Sequence, residues 1–228
     1  MPYRVLTSDV LARFSETAIL LNTIKANETT VIPPSVEPID HKVLKGLFYV
    51  SLYACVEFSF NELCVKTITL IKNKNVTYND FENKFLTIAL SASLQTVRDC
   101  TPKKFLDKAS DMFYLSDSSN IANLNETFIS TYLQNIWGKS FNQLTKTFGT
   151  TLFSLTAREM AIFDELVDNR NIVAHGRDLA QTIGSSPKYL DLKSKYDIVF
   201  DVINRYIIHF ETFFNGKGYI KMSRRINY

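Results

Sequence analysis

Punctuation is scarce in this chain. Its 228 residues include only 7 glycines and 6 prolines. A β-rich architecture needs a turn every few residues, so this composition argues against one and favours long helices. Cysteine is sparse as well. Cys55, Cys64 and Cys100 are odd in number and form no C-x-x-C pair. A disulfide framework and a zinc knuckle are both disfavoured, and buried thiols in a reducing cytosol are expected instead. No run of 18 or more apolar residues appears, so no transmembrane segment is expected. Without a signal peptide the sequons at Asn27, Asn75 and Asn125 carry no meaning, and a cytoplasmic location is expected. The net charge of +3 is too mild to mark a nucleic-acid binder by itself. The sequence has no Gly-rich phosphate loop, no HExxH, no nucleophile elbow and no 20–50-residue repeat. Nor do Asp, Glu and His cluster with metal-ligand spacing, so neither metal nor cofactor is expected.

What is present is apolar material with a helical period. Hydrophobic residues make up 46% of the chain and charged residues 21%, enough for a real core. A single all-α domain over 1–228, a helical bundle with long central helices, is the expected fold. The spacing predicts a first helix over about 8–26, capped by Ser8 or Asp9. The prolines between Thr29 and Asp40 predict a loop. From about Lys42 to Lys72 the chain is apolar almost all round, which predicts a helix at the centre of the domain. Asn79 and Asp80 suggest the cap of a helix running to about Val97. Thr101-Pro102 opens another, ending near Leu115, before a polar surface loop over 116–125. Short helical patterns follow at 128–137 and 141–148. Thr156-Ala157-Arg158-Glu159 is a capping box, and Tyr189–Phe214 predicts a last long helix that Gly216 and Gly218 end. The tail after it carries Lys217, Lys221, Arg224 and Arg225 and no acid.

The helix that starts at the capping box leads into Arg170-Asn171-Ile172-Val173-Ala174-His175-Gly176. This run places a permanent cation and a titratable imidazole five residues apart. They are the minimum kit for cutting a phosphodiester without metal: one group stabilises developing charge and the other moves a proton. Asn171 adds a neutral donor and acceptor. The bland alternative is two surface residues on an amphipathic helix. Gly176 suits the residue after a helix end, while Asp168 or Asn169 marks an alternative break. Glu57 is a carboxylate between Val56 and Phe58 on the central helix. It either makes a buried bond to a neighbouring helix or orients Arg170 or His175. His41 is expected to be exposed and His209 structural. Arg158 and Arg177, with Lys139, Lys146 and the tail cations, are candidates to attract a phosphate backbone, or form a merely solvated face.

From Asp164-Glu165-Leu166-Val167 through Arg170-Asn171 to Ala174-His175-Gly176 the chain resembles the HEPN superfamily. It is most similar to the prokaryotic branch whose motif reads R-N-x-x-A-H-G, the RiboL-PSP-HEPN-like ribonucleases. The match covers about 13 residues. The resemblance implies an all-helical fold and a homodimer with a composite site. It also implies metal-independent endoribonuclease chemistry, in which the RNA 2′-OH attacks the adjacent phosphate and leaves a 2′,3′-cyclic phosphate and a 5′-OH. Arg170, Asn171 and His175 are then catalytic, with Glu57 as the acidic residue of the central helix. The family's settings imply a toxin–antitoxin or antiphage-defence role, with RNA as substrate and an antitoxin or defence-system protein as partner. A non-catalytic HEPN module that binds RNA, a nucleotide or a partner protein is the alternative, and a structural subunit of a defence complex a third. Some HEPN toxins carry a tyrosine two residues after the motif His, where a partner enzyme modifies it. Here that residue is Arg177.

Overall fold

The apolar run of the sequence becomes α2 (Ile39–Lys72) in the computed structural model, which describes residues 2–30 and 36–228. Around α2 pack α1 (Arg4–Thr30), α7 (Ala157–Ala174), α8 (Ala180–Ile183) and α9 (Tyr189–Asn215). Phe48, Leu52, Val56, Phe60, Leu63 and Ile68 of α2 are shut away from solvent, each stabilising the fold by roughly 1.5–3 kcal/mol relative to exposure. By length and apolar content α2 would also pass as a membrane span. In this fold that apolar surface is the axis of an all-α bundle. Beyond the helices there are only two isolated antiparallel bridges, Thr77 with Ile121 and Phe81 with Ile220, and no strand among the described residues.

A cluster of aromatic rings joins α2, α7 and α9 to α6 (Ser140–Phe148). Phe60 stacks on Tyr206 of α9 at 5.1 Å and meets Phe141 edge-on at 4.7 Å. Phe141 belongs to α6 and also meets Phe163 of α7 edge-on. Pairs in these geometries are worth about 0.5–1.5 kcal/mol beyond area burial. The Tyr206 hydroxyl donates to the Phe141 carbonyl at 2.9 Å, and burial holds its pKa well above the ordinary value.

Several expected boundaries move, each for a tertiary reason. α1 begins before Ser8 and Asp9, so neither caps it. Tyr3 and Leu6 are buried, and the Tyr3 hydroxyl meets Thr67 of α2 at 2.8 Å, which extends the helix backwards. It also runs on to Thr30, so the proline loop is shorter than expected; residues 31–35 lie outside the described residues. The continuous helix expected from Asn79 to Val97 does not form. Two 3-10 turns, Tyr78–Asp80 and Asn83–Phe85, precede α3 (Leu86–Ala89) and α4 (Ser91–Asp99). The C-terminal tail takes the bonds such a helix would use. Glu82 N–H donates to the Tyr219 carbonyl at 2.9 Å, and Asp80 accepts from the Tyr228 hydroxyl and pairs with Arg224. The 128–137 pattern yields only a 3-10 turn, Ile129–Tyr132. α5 (Phe105–Ser116) forms after a 3-10 turn that opens at Pro102, close to its expected place. Cys55 and Cys64 are buried thiols, whereas Cys100 is only half-buried.

One seam was not anticipated at all. A Cβ on Gly46 would lie 2.0 Å from the Ala180 carbonyl oxygen, and one on Gly184 would lie 1.8 Å from that of Lys42. The backbones of α2 and α8 therefore touch directly, immediately beyond the Arg170–Gly176 run.

Candidate functional site

α7 carries the motif on one unbroken helix; no break occurs at Asp168-Asn169. Its start is the expected capping box. Thr156 Oγ1 accepts from the Glu159 amide at 3.2 Å, and Glu159 accepts from the Thr156 amide at 2.7 Å. The end is a left-handed stop. Gly176 has φ +63°, the Arg177 amide reaches back to the Ile172 carbonyl at 3.0 Å and the Gly176 amide to that of Val173 at 3.2 Å. These two crossing bonds satisfy carbonyls the helix would otherwise leave open. His175 is the last residue before the reversal.

The buried stripe of α7, through Phe163, Leu166 and Val167, ends at Arg170. The guanidinium therefore points towards α2. Its carbon sits 4.3 Å from the centre of the Tyr53 ring. Nη2 pairs with Glu57 at 3.5 Å. Nη1 donates to Asn171 Oδ1 at 2.7 Å and, at the outer limit of 3.5 Å, to Asn135 Oδ1. Four groups thus fix one planar fork, an arrangement lysine cannot reproduce. The Tyr53 hydroxyl accepts the Ile136 amide at 3.1 Å. Burial raises the Tyr53 pKa, with the Glu57 charge adding to the rise and Arg170 opposing it, so the ring is a neutral platform at ordinary pH.

His175 stands apart from this network. It is exposed; its backbone amide donates to the Asn171 carbonyl at 3.1 Å, and its ring makes no hydrogen bond or ion pair among the described residues. Five helical steps separate it from Arg170 by about 140° around the axis and roughly 7.5 Å along it. Asn171 lies between them: it shares a face with His175 and bonds Arg170 through its side chain. The structure brings Arg170, Asn171 and Glu57 together and leaves His175 open to solvent.

The remaining candidates fall elsewhere. Glu57 is not the buried carboxylate that its neighbours suggested; its side chain is 39% exposed and its partner is Arg170. Arg158 sits at the opposite end of α7, bonded to Ser194 Oγ at 3.0 Å, roughly 18 Å along the axis from Arg170. Arg177 is exposed next to His175. The tail cations are engaged in the fold: Lys217 Nζ donates to the Arg225 carbonyl, Lys221 Nζ to that of Asn79, and Arg225 Nε to that of Ile220. They are tied into the fold rather than forming a free basic arm, and Arg224, paired with Asp80, stays exposed. His41 is half-buried rather than exposed, with Nδ1 enclosed and unpartnered among the described residues. His209 bonds Thr150 Oγ1 at 2.7 Å, and burial lowers its pKa. No three His, Cys, Asp or Glu side chains converge as a metal site among the described residues.

Sequence reasoning missed Tyr53, Asn135 and Asp164. The Asp164 carboxylate accepts the Gly138 amide at 2.8 Å and ties the 135–138 segment to α7. Asn135 adopts φ +52°, a conformation that asparagine tolerates better than most residues but that costs energy all the same. No pattern in the local sequence pairs either residue with Arg170. A signal existed only for Tyr53, four residues before Glu57 and hence on the same face of α2.

The family model RiboL-PSP-HEPN matches residues 8–212. No curated protein and no solved structure matches the chain.

Proposed function

The chain belongs to the RiboL-PSP-HEPN family, and on that premise we propose that it is a metal-independent endoribonuclease acting as a homodimer. HEPN membership itself suggests a nuclease or another RNA-related function. The observation that carries the finer reading is the contrast between a guanidinium held by four groups and an exposed imidazole five residues beyond it. A preorganised cation is what a phosphorane-like transition state needs, because no energy goes into reorienting it during the reaction. An exposed histidine is what a proton-transfer group needs if substrate is to reach it.

In the reaction, the 2′-OH oxygen attacks the adjacent phosphorus and the bond from phosphorus to O5′ breaks. His175 takes the 2′-OH proton, and an imidazolium supplies a proton to O5′. The products are a 2′,3′-cyclic phosphate and a 5′-OH. Arg170 stabilises the extra charge on the non-bridging oxygens. Asn171 and Glu57 are positioning residues that hold the fork. The angular gap between Arg170 and His175 supports a twofold pairing in which a second copy brings its own His175 to the same phosphate. A toxin or antiphage-defence setting, with RNA as substrate and an antitoxin or defence protein as restraint, follows from the family reading, as does a cytoplasmic location. In this reading Arg177, exposed beside His175, meets the RNA backbone, and Arg158 meets only a distant phosphate.

Cleavage of a short RNA in EDTA tests this. Wild type is expected to release cyclic-phosphate ends, and His175→Ala to lose about 10²–10⁴-fold in rate. A 2′-deoxy residue at the scissile position should block cutting, and light scattering should give the mass of a dimer. Wild-type rates from His175→Ala, or cutting of the deoxy substrate, would refute the mechanism in favour of a non-catalytic RNA-, nucleotide- or protein-binding module.

A further inference from the structure

Next to the Arg170 network lies a cavity of about 480 Å³ between α4, α6 and the 128–136 segment. Its size falls within the roughly 300–1,000 Å³ typical of ligand pockets. Leu144, Ile129 and Ile136 make the floor apolar, while Tyr132, Gln143 and Arg98 stand at the rim. Tyr132 is 57% exposed and meets Phe128 edge-on at 5.1 Å, so one aromatic face is turned outwards but braced. Asn135 lines the same cavity and is the residue whose Oδ1 meets Arg170. One left-handed asparagine therefore separates an apolar, aromatic-rimmed pocket from the proposed phosphate-stabilising cation.

We propose that this cavity is a base-binding subsite: it takes one unstacked nucleobase of the RNA whose phosphate lies at Arg170. This inference rests on the ribonuclease reading and adds the subsite to it. Recognition of single-stranded RNA works through bases splayed from the stack onto aromatic rings, with hydrogen bonds to their edges adding selectivity. The cavity supplies each part. Tyr132 is the stacking ring, Gln143 presents a side-chain amide, the apolar floor excludes water, and Arg98 lies where a flanking phosphate would pass. The strained Asn135 gains a reason as well. Its backbone shapes the pocket wall while its side chain steadies the cation, so occupancy of one is felt at the other.

The test uses the full chain, a short mixed-sequence oligoribonucleotide and two rim substitutions. Tyr132→Ala removes the ring. Gln143→Phe fills the mouth from an exposed helix position. Each is expected to weaken oligonucleotide binding to the His175→Ala protein about tenfold or more, as loss of base stacking does. In the His175-containing protein each should raise KM comparably and leave kcat within about twofold. An exposed control on α5, Leu106→Ala, should change nothing. Undiminished binding by both rim variants, or no RNA binding by any form, would overturn the subsite. A free mononucleotide that binds as tightly as the oligonucleotide would overturn RNA as the occupant. Cavity-dependent binding without cleavage by the wild type would keep the subsite and refute the nuclease.

Discussion

Arg170→Ala and His175→Ala should both abolish cleavage, yet they should separate sharply on stability. The guanidinium lies over Tyr53, donates to Asn171 and pairs with Glu57. The contact with Tyr53 is worth about 1 kcal/mol, between the exposed and desolvated limits. The short bond to Asn171, itself part-buried, adds about 1 kcal/mol. The Glu57 pair is long and its carboxylate 39% exposed, so solvent screening reduces it to ~0–1 kcal/mol. Arg170→Ala is thus expected to cost about 2–3 kcal/mol, or roughly 4–12 °C in a domain of this size. The His175 side chain is exposed and makes no hydrogen bond or ion pair among the described residues. His175→Ala should cost about 0.5 kcal/mol or less, under roughly 2 °C. Thermal melts of both variants, followed by circular dichroism beside RNA cleavage, read the two quantities together. If Arg170→Ala melts with the wild type, the four-group network contributes nothing to the fold. If His175→Ala falls as far as Arg170→Ala, the imidazole is packed, and its loss of activity cannot be assigned to proton transfer.

Two further predictions follow from backbone and burial. A Cβ on Gly176 would meet nothing within 4 Å, so Gly176→Ala pays only for its φ of +63°, about 1–2 kcal/mol. That should appear as a drop in Tm of roughly 2–8 °C, and an unchanged Tm would show that the helix stop relaxes. His209 has its pKa lowered from an ordinary 6.5, chiefly by burial. Its folded form therefore resists protonation that the unfolded chain accepts. The stability it contributes is present above the unfolded value and is lost as pH falls from there through the folded value. Tm should decline over that window in wild type and decline less in His209→Gln; parallel profiles would remove His209 as a cause.

Much of the frame could be read from the sequence because it depends on local period and end signals. α2, α7 and α9 are stripes of apolar residues, and the capping box and Gly176 bound α7 through atoms only a few residues apart. The segment after Lys72 was misread for the opposite reason. Asn79 and Asp80 look like a helix cap, but Asn79 Oδ1 accepts from Thr77, and the Asp80 carboxylate takes Arg224 and Tyr228, more than 140 residues away in sequence. The site divides in the same way. Arg170, Asn171 and His175 are contiguous and stand out as a motif. Asn135 joins them only through the fold, from a loop with no local mark of that role, and Tyr53 is marked only by its place four residues before Glu57 on α2. Glu57 was noticed for its apolar neighbours, yet the helix turns it towards Arg170 and solvent.

The touching backbones at Gly46 and Gly184 bear on how the motif can move. Glycine inside a helix such as α2 costs up to about 1 kcal/mol relative to alanine, and here it permits an approach that no side chain would allow. Four residues after Gly176, Ala180 begins α8, whose backbone lies directly against α2, the helix around which the core is organised. The exposed imidazole therefore precedes a short segment held at both ends, by the left-handed stop at Gly176 and by the contact of α8 with α2.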